Sequence, residues 1–228
     1  MNKCFSIAID GPSGAGKSTL ARAVAKKFNF LYLDTGAIYR TVALAALNKN
    51  IDSTDSRQVG LILNSINIQI QYSDAGEQRM LLNGEDVSSK IRTPQISILA
   101  SNVAAHKCVR DFLLATQRNF AENNNVVMDG RDIGTVVLPD AQLKIFLCAD
   151  AKARAERRCN ELISQGIQID YNEVLQDIIF RDRQDSCRDI SPLHPADDAV
   201  LLDNGNLSVD DEVETIGILL KERGWKTL

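Results

Sequence analysis

The eight residues Gly11-Pro12-Ser13-Gly14-Ala15-Gly16-Lys17-Ser18 constrain this chain more than any other stretch, because they fit G-x-x-x-x-G-K-[ST] in full. Such a loop needs a strand before it and a helix behind it. Phe5, Ile7, Ala8 and Ile9 read as a short buried strand, and Leu20, Val24 and Phe28 recur afterwards at helical spacing. Gly11, Gly14 and Gly16 can take backbone angles that a β-carbon penalises. Consecutive amides can therefore turn inward around phosphate oxygens at a helix N-terminus, where the dipole also favours negative charge. Lys17 is then expected to reach the β and γ phosphates of a nucleoside triphosphate, and Ser18 to ligate Mg²⁺.

At 228 residues the chain is one α/β unit with insertions or two small domains, and core volume is not limiting. A net charge of −4 argues against a nucleic-acid partner. An apolar run near twenty residues and a basic-then-apolar amino terminus are both missing, which points to a cytoplasmic protein without a membrane partner. Cys4, Cys108, Cys148, Cys159 and Cys187 are odd in number and widely spaced, so reduced structural thiols are expected. With only His106 and His194 to draw on, any metal should be Mg²⁺ held through oxygens.

Strands are expected near 5–10, 30–33, 126–129, 143–148 and 199–203, separated by helical patterns near 36–48, 107–122, 151–163 and 208–223. That alternation predicts a five-stranded parallel sheet with helices on both faces. The stretch from Asp34 to Val126 is far longer than a crossover requires. Within it, Ile66 to Tyr72 alternates with period two, Ser73 to Glu77 supplies a turn, and Met80-Leu81-Leu82 followed by Asn83-Gly84 reads as a return strand and second turn. A small β appendage over the substrate cleft is expected there.

Six arginines, Arg154, Arg157, Arg158, Arg181, Arg183 and Arg188, crowd into 35 residues, and no lysine occurs from 153 to 220. The guanidinium fork grips phosphate oxygens in pairs and stays charged when desolvated, which suits a site closing over polyphosphate. Interleaved Asp177, Asp182 and Asp185 also allow ordinary surface pairs, the reading preferred for Arg183. Offsets of four and seven put Arg181, Asp185 and Arg188 on one helical stripe, and spacing alone leaves open whether that stripe binds a ligand or only solvates a helix. Asp34-Thr35-Gly36 and Asp129 to Thr135 both follow apolar strands, where open α/β sheets bind ligands. Asp34 or Asp129 could orient Mg²⁺ through water, though a helix cap serves Asp34 equally well.

The loop, Asp34 to Arg40, Leu82 to Val87, Ile91-Arg92-Thr93, Asp129 to Thr135 and Arg181-Asp182-Arg183 together closely resemble the bacterial cytidylate kinase family over nearly the whole chain. The resemblance implies a P-loop nucleoside monophosphate kinase fold with a core at 1–65, 104–150 and 191–228, a monophosphate-binding insert at 66–103 and an arginine-rich lid at 151–190. It implies a monomer that phosphorylates CMP and dCMP with MgATP. ATP binding falls on residues Gly11 to Thr19, with Arg157 and Arg158 approaching from the lid. The base pocket falls on Thr35, Ser101, Arg110 and Asp132, the sugar contacts on Arg181 and Asp185, and the acceptor phosphate contacts on Arg40, Arg131 and Arg188.

Cytosine offers an exocyclic amine that the Asp132 carboxylate can accept, whereas uracil inverts that edge and would leave buried polar groups unpaired. Lys17, Arg131 and Arg188 are then the candidate catalytic cations. Thr35 stands where many family members carry serine, which keeps the hydroxyl and adds a methyl. Ser18 stands where some carry glycine. Two rivals remain, a kinase of another small metabolite and a non-catalytic nucleotide switch. The chain contains no D-x-x-G, and Asn48-Lys49-Asn50-Ile51 lacks the aspartate of a guanine reader, so a GTPase switch is disfavoured.

Overall fold

In the computed structural model, which describes residues 4–164, 166–205 and 207–225, five parallel strands form one sheet. They are β1 Ser6–Asp10, β2 Leu31–Asp34, β6 Val126–Gly130, β7 Leu143–Cys148 and β8 Val200–Asp203, in the order β2-β6-β1-β7-β8. The ends of the expected core, 1–3 and 226–228, together with Gln165 and Asn206, lie outside the described residues. β1 is central, so the loop after it opens between the ends of β6 and β7. Register aligns Asp10 with Gly130 and Asp34 with Asp129 along the carboxyl edge of the sheet.

Side-chain alternation divides the core into two faces. Ile7 and Ile9 of β1 join Val127, Ile145 and Leu147 beneath α1 Lys17–Phe28 and α8 Val209–Glu222. Ala8 instead joins Leu33, Val126 and Met128 on the opposite face, under α2 Thr35–Asn48, α3 Ser56–Leu63 and α5 Lys107–Asn123. Strands covered on both faces read as near-continuous apolar runs, which is how they stood out in the sequence.

The appendage is a three-stranded antiparallel sheet, β3 Ile68–Tyr72, β4 Gln78–Leu82 and β5 Glu85–Asp86, followed by α4 Pro94–Ala104. Asn83 and Gly84 both take positive φ (53° and 87°), the geometry that makes an Asn-Gly pair a hairpin turn. Two side chains fasten the appendage to the edge strand β2. Gln78 accepts from the Asp34 amide at 2.7 Å and donates to the Asp34 carbonyl at 3.2 Å, and Tyr72 donates its hydroxyl to the Tyr32 carbonyl at 2.8 Å. The open edge of the sheet thereby finds partners in side chains rather than in a sixth strand. Met80, Leu82, Val87, Ile91 and Ile96 continue the core cluster of Leu33 and Met128 without a break.

Two helices, α6 Ala151–Ser164 and α7 Tyr171–Cys187, make a hairpin with a small core of its own, Ala155, Cys159, Leu162, Val174 and Ile178. α7 ends at Cys187, so Arg188 is not on a continuous helical stripe with Arg181 and Asp185; it caps the helix in extended geometry (φ −68°, ψ 143°). Beyond that end, Ser191 sits at φ 51° ahead of Pro192, which disfavours a helical residue before it. Sequence patterning also passed over α3 and α4, although Asp55 and the Thr93-Pro94 pair are ordinary start signals: Asp55 caps α3 through two amides and Thr93 caps α4. All five cysteines are free. No described helix is long and apolar enough to cross a membrane.

Candidate active site

The phosphate loop is shaped by its glycines. Gly11, Gly14 and Gly16 have φ of 149°, 74° and 91°, and a β-carbon on Gly11 would lie 2.3 Å from the Leu147 carbonyl oxygen. Three loop carbonyls are held by side chains. Lys17 Nζ donates to Pro12 O at 2.6 Å, Arg154 Nη1 to Ser13 O at 2.8 Å, and Asn204 Nδ2 to Ala15 O at 2.8 Å. The loop amides stand at the N-terminus of α1, a position suited to phosphate oxygens. Lys17 is almost wholly buried; burial and repulsion from the nearby Arg131 lower it to about 7, against the pull of Asp129, Asp185 and Asp10.

At the sheet's carboxyl edge, Ser18 donates its hydroxyl to Asp129 Oδ2 at 2.7 Å and Tyr32 donates to Oδ1 at 2.9 Å. Burial and the neighbouring Asp34 raise Asp129 above the ordinary carboxylate range. Asp34 itself takes the helix-cap role, accepting from Ala37 N at 2.8 Å while its other oxygen pairs with Arg40 at 2.8 Å. Thr35 donates to the Asp129 carbonyl at 2.6 Å. Among the described residues no cluster of three His, Cys, Asp or Glu side chains forms a protein-only metal cage.

A second charge cluster stands beside the loop. Arg131 Nε donates to Asp185 Oδ2 at 2.7 Å, Arg188 lies 3.9 Å from Asp185 and 3.6 Å from Asp132, and Arg110 donates to Asp132 Oδ2 at 3.1 Å and to the Tyr39 hydroxyl at 3.2 Å. Asp132 is buried, which raises it, with Arg110 and Arg188 drawing it back. Tyr39, Arg110, Gln117, Asp132, Val136 and Ser191 contribute to the walls of a cavity of about 190 Å³. Arg110 Nε and Gln117 Oε1 from its walls, and Arg188 Nη2, are buried without a hydrogen bond. A pocket with one carboxylate acceptor and unspent donors can read the edge of a planar amide-bearing ring.

Residues 7–222 match the family model described as cytidylate kinase. The chain belongs to the cytidylate kinase family. It is 46% identical over 214 residues to the cytidylate kinase of Caldicellulosiruptor saccharolyticus, covering 94% of each chain. It is also 46% identical over 221 residues to that of Bacillus anthracis, covering 96% of this chain and 98% of the relative. An uncharacterised protein from Eubacterium ventriosum shares the fold at a TM-score of 0.52 and 14% identity, over 95% of this chain and 98% of the other.

Of the residues to which the cytidylate kinase resemblance assigned roles, Arg110, Arg131, Asp132, Asp185 and Arg188 converge in one linked cluster. Arg40 is held back at Asp34, Ser101 is half-buried on α4, and Arg181 pairs along its own helix with Asp177 at 3.2 Å. Arg157 reaches Asn204 beside the loop at 2.7 and 3.1 Å, whereas Arg158 pairs with Glu161 on the same exposed helical face. Arg183 is exposed.

Several site residues went unassigned in the sequence, Tyr32 and Tyr39 among them. Arg154, one turn before Arg157 and Arg158, is buried and bridges the loop to Asp182 of α7 at 2.6 Å. Asn204 follows a strand, the location that flagged Asp34 and Asp129, and Asp10 immediately precedes the loop. Gln117 carries no sequence signal that separates it from an ordinary helical glutamine.

Proposed function

We propose that the protein transfers the γ-phosphoryl group of MgATP to CMP or dCMP, giving ADP and CDP or dCDP, by direct in-line displacement. The observation that carries this reading is the buried Asp132 between Arg110 and Arg188, linked through Asp185 to Arg131 at the rim of the phosphate loop. Asp132 accepts the cytosine amine and Arg110 donates to the ring acceptors, with Thr35 and Ser101 completing the base pocket. Asp185 and Arg181 hold the sugar, and Arg40, Arg131 and Arg188 hold the acceptor phosphate. The loop residues Gly11 to Thr19 hold ATP, with Arg157 and Arg158 on a lid spanning 151–190, an insert spanning 66–103 and the remainder as core.

Acceptor phosphate is anionic at neutral pH, so no general base is required. Lys17, Arg131 and Arg188 neutralise charge that accumulates on the transferring group, and the lid excludes water that would otherwise accept it. The Ser18 hydroxyl and Asp129 carboxylate, 2.7 Å apart, are hard oxygen donors of the kind Mg²⁺ takes, so the residues present fit that ion. Bound with ATP, it would supply charge neutralisation between the β and γ phosphates.

A cytoplasmic monomer with no nucleic-acid or membrane partner completes the reading; elution as a 25.1 kDa species on size exclusion checks the monomer. The central test is ADP production from ATP with CMP, dCMP, UMP, AMP and shikimate offered in turn. Turnover concentrated on CMP and dCMP is expected. Efficient use of AMP or shikimate with none of CMP would overturn the assignment.

A further inference from the structure

Asp132 begins a π-helical turn, Ile133–Val137, and stands at its N-cap position. An aspartate there ordinarily folds its carboxylate back onto the first free amides of the turn. This one makes no such bond. Its two oxygens are directed instead at Arg110 and Arg188. Gly134 N, the second amide of the turn and one that an N-cap carboxylate takes, donates instead to another carboxylate, Asp10 Oδ2, at 2.7 Å, and the neighbouring Ile133 N donates to Asp10 Oδ1 at 2.8 Å. Asp10 comes from a different strand, is buried, and directly precedes Gly11 of the phosphate loop. Its backbone is in register with Gly130, two residues before Asp132. Lys17 and Asp132 act on its charge, and the Lys144 side chain from β7 packs beside it at Gly134.

We propose that Asp10 is a positioning residue for base selection: by capping the 133–137 turn in place of Asp132, it frees the Asp132 carboxylate to face the base. The same two bonds tie the donor loop to the acceptor loop, so that both halves of the site share one anchor. With Asp10 shortened, the Asp132 carboxylate swings back to cap its own turn, and Arg110 loses its partner in the pocket. The inference rests on the assignment of Asp132 to the base.

The test compares Asp10→Asn, Asp10→Ala, Asp132→Ala and the double variant Asp10→Ala/Asp132→Ala, each checked for folding by circular dichroism. The measurements are KM and kcat for CMP and UMP, and equilibrium ATP affinity. Asp10→Ala should raise the CMP KM at least tenfold and cut the CMP over UMP preference, a larger effect than its change in kcat or in ATP affinity. Asp10→Asn, which keeps one carbonyl acceptor, should fall between it and the native protein, and it stands alone if the alanine variant does not fold. In the double variant the preference should be no lower than in Asp132→Ala alone. Preference that falls in Asp132→Ala but is untouched in Asp10→Asn and Asp10→Ala overturns this inference and leaves the base pocket standing. Preference untouched even in Asp132→Ala overturns both. Additive losses in the double variant overturn the capping exchange.

Discussion

Lys17 is the residue at which burial and chemistry conflict most directly. Its ammonium is buried and beside Arg131, which lowers it from 10.5 to about 7, although the proposed grip on phosphate needs it charged. Between about pH 7 and 10.5 the unfolded chain holds more protons at this site than the folded one, so its contribution to stability becomes more favourable as pH rises through that window. Polyphosphate binding works the other way, because it favours the charged form. Apparent ATP affinity should therefore be level below pH 7, weaken above it, and be accompanied by proton uptake measurable by calorimetry in buffers of different ionisation enthalpy. Lys17→Arg, which stays protonated, should abolish that pH dependence. Lys17→Ala should reduce turnover on the order of 10³-fold while far-ultraviolet circular dichroism stays native, because the interaction is made to transferring charge rather than to the fold.

Elements fix where such residues stand. The turn between β1 and α1 works only with glycine at position 11, where φ is 149° and a β-carbon would collide with the backbone of β7. Gly11→Ala should cost about 2–4 kcal/mol in urea unfolding, since the obstacle is a carbonyl in a central strand that cannot step aside. The α6–α7 hairpin is anchored by Arg154, whose fork binds Asp182 through two nitrogens while the same side chain reaches Ser13 O and Ala149 O. Arg154→Ala should raise amide hydrogen exchange across 151–187 with little change in the parallel sheet, at a cost of about 3 kcal/mol to docking of the hairpin. Arg154→Lys should not restore protection, because an ammonium cannot reproduce the planar two-point grip.

At the scale of the whole molecule, the insert is a continuation of the core. Met80 is 1% exposed and packs in the cluster that holds Leu33 and Met128. Met80→Ala should therefore destabilise the entire protein by about 3 kcal/mol, and near- and far-ultraviolet signals should still lose structure in a single coincident transition. A separate early transition for the insert would contradict that continuity. The hairpin differs, since its apolar core is small and its hold on the rest is largely polar.

Sequence alone determined the central machinery of this protein. Glycine spacing, apolar strands and the arginine-rich tract are local properties, so the phosphate loop, the five parallel strands and the family were legible residue by residue. The tertiary structure decided the partnerships, because ion pairs and caps form between residues far apart in the chain. Asp34 became a helix cap rather than an unspent ligand because α2 starts on it. Arg188 left the helical stripe because α7 ends at Cys187, yet it still met Asp132. Asp10 and Arg154 acquired their roles only when β1 lay beside β6 and α6 lay over the loop. Spacing reveals what a residue can do; which neighbour satisfies a buried charge is settled by packing, where every such group must find a partner.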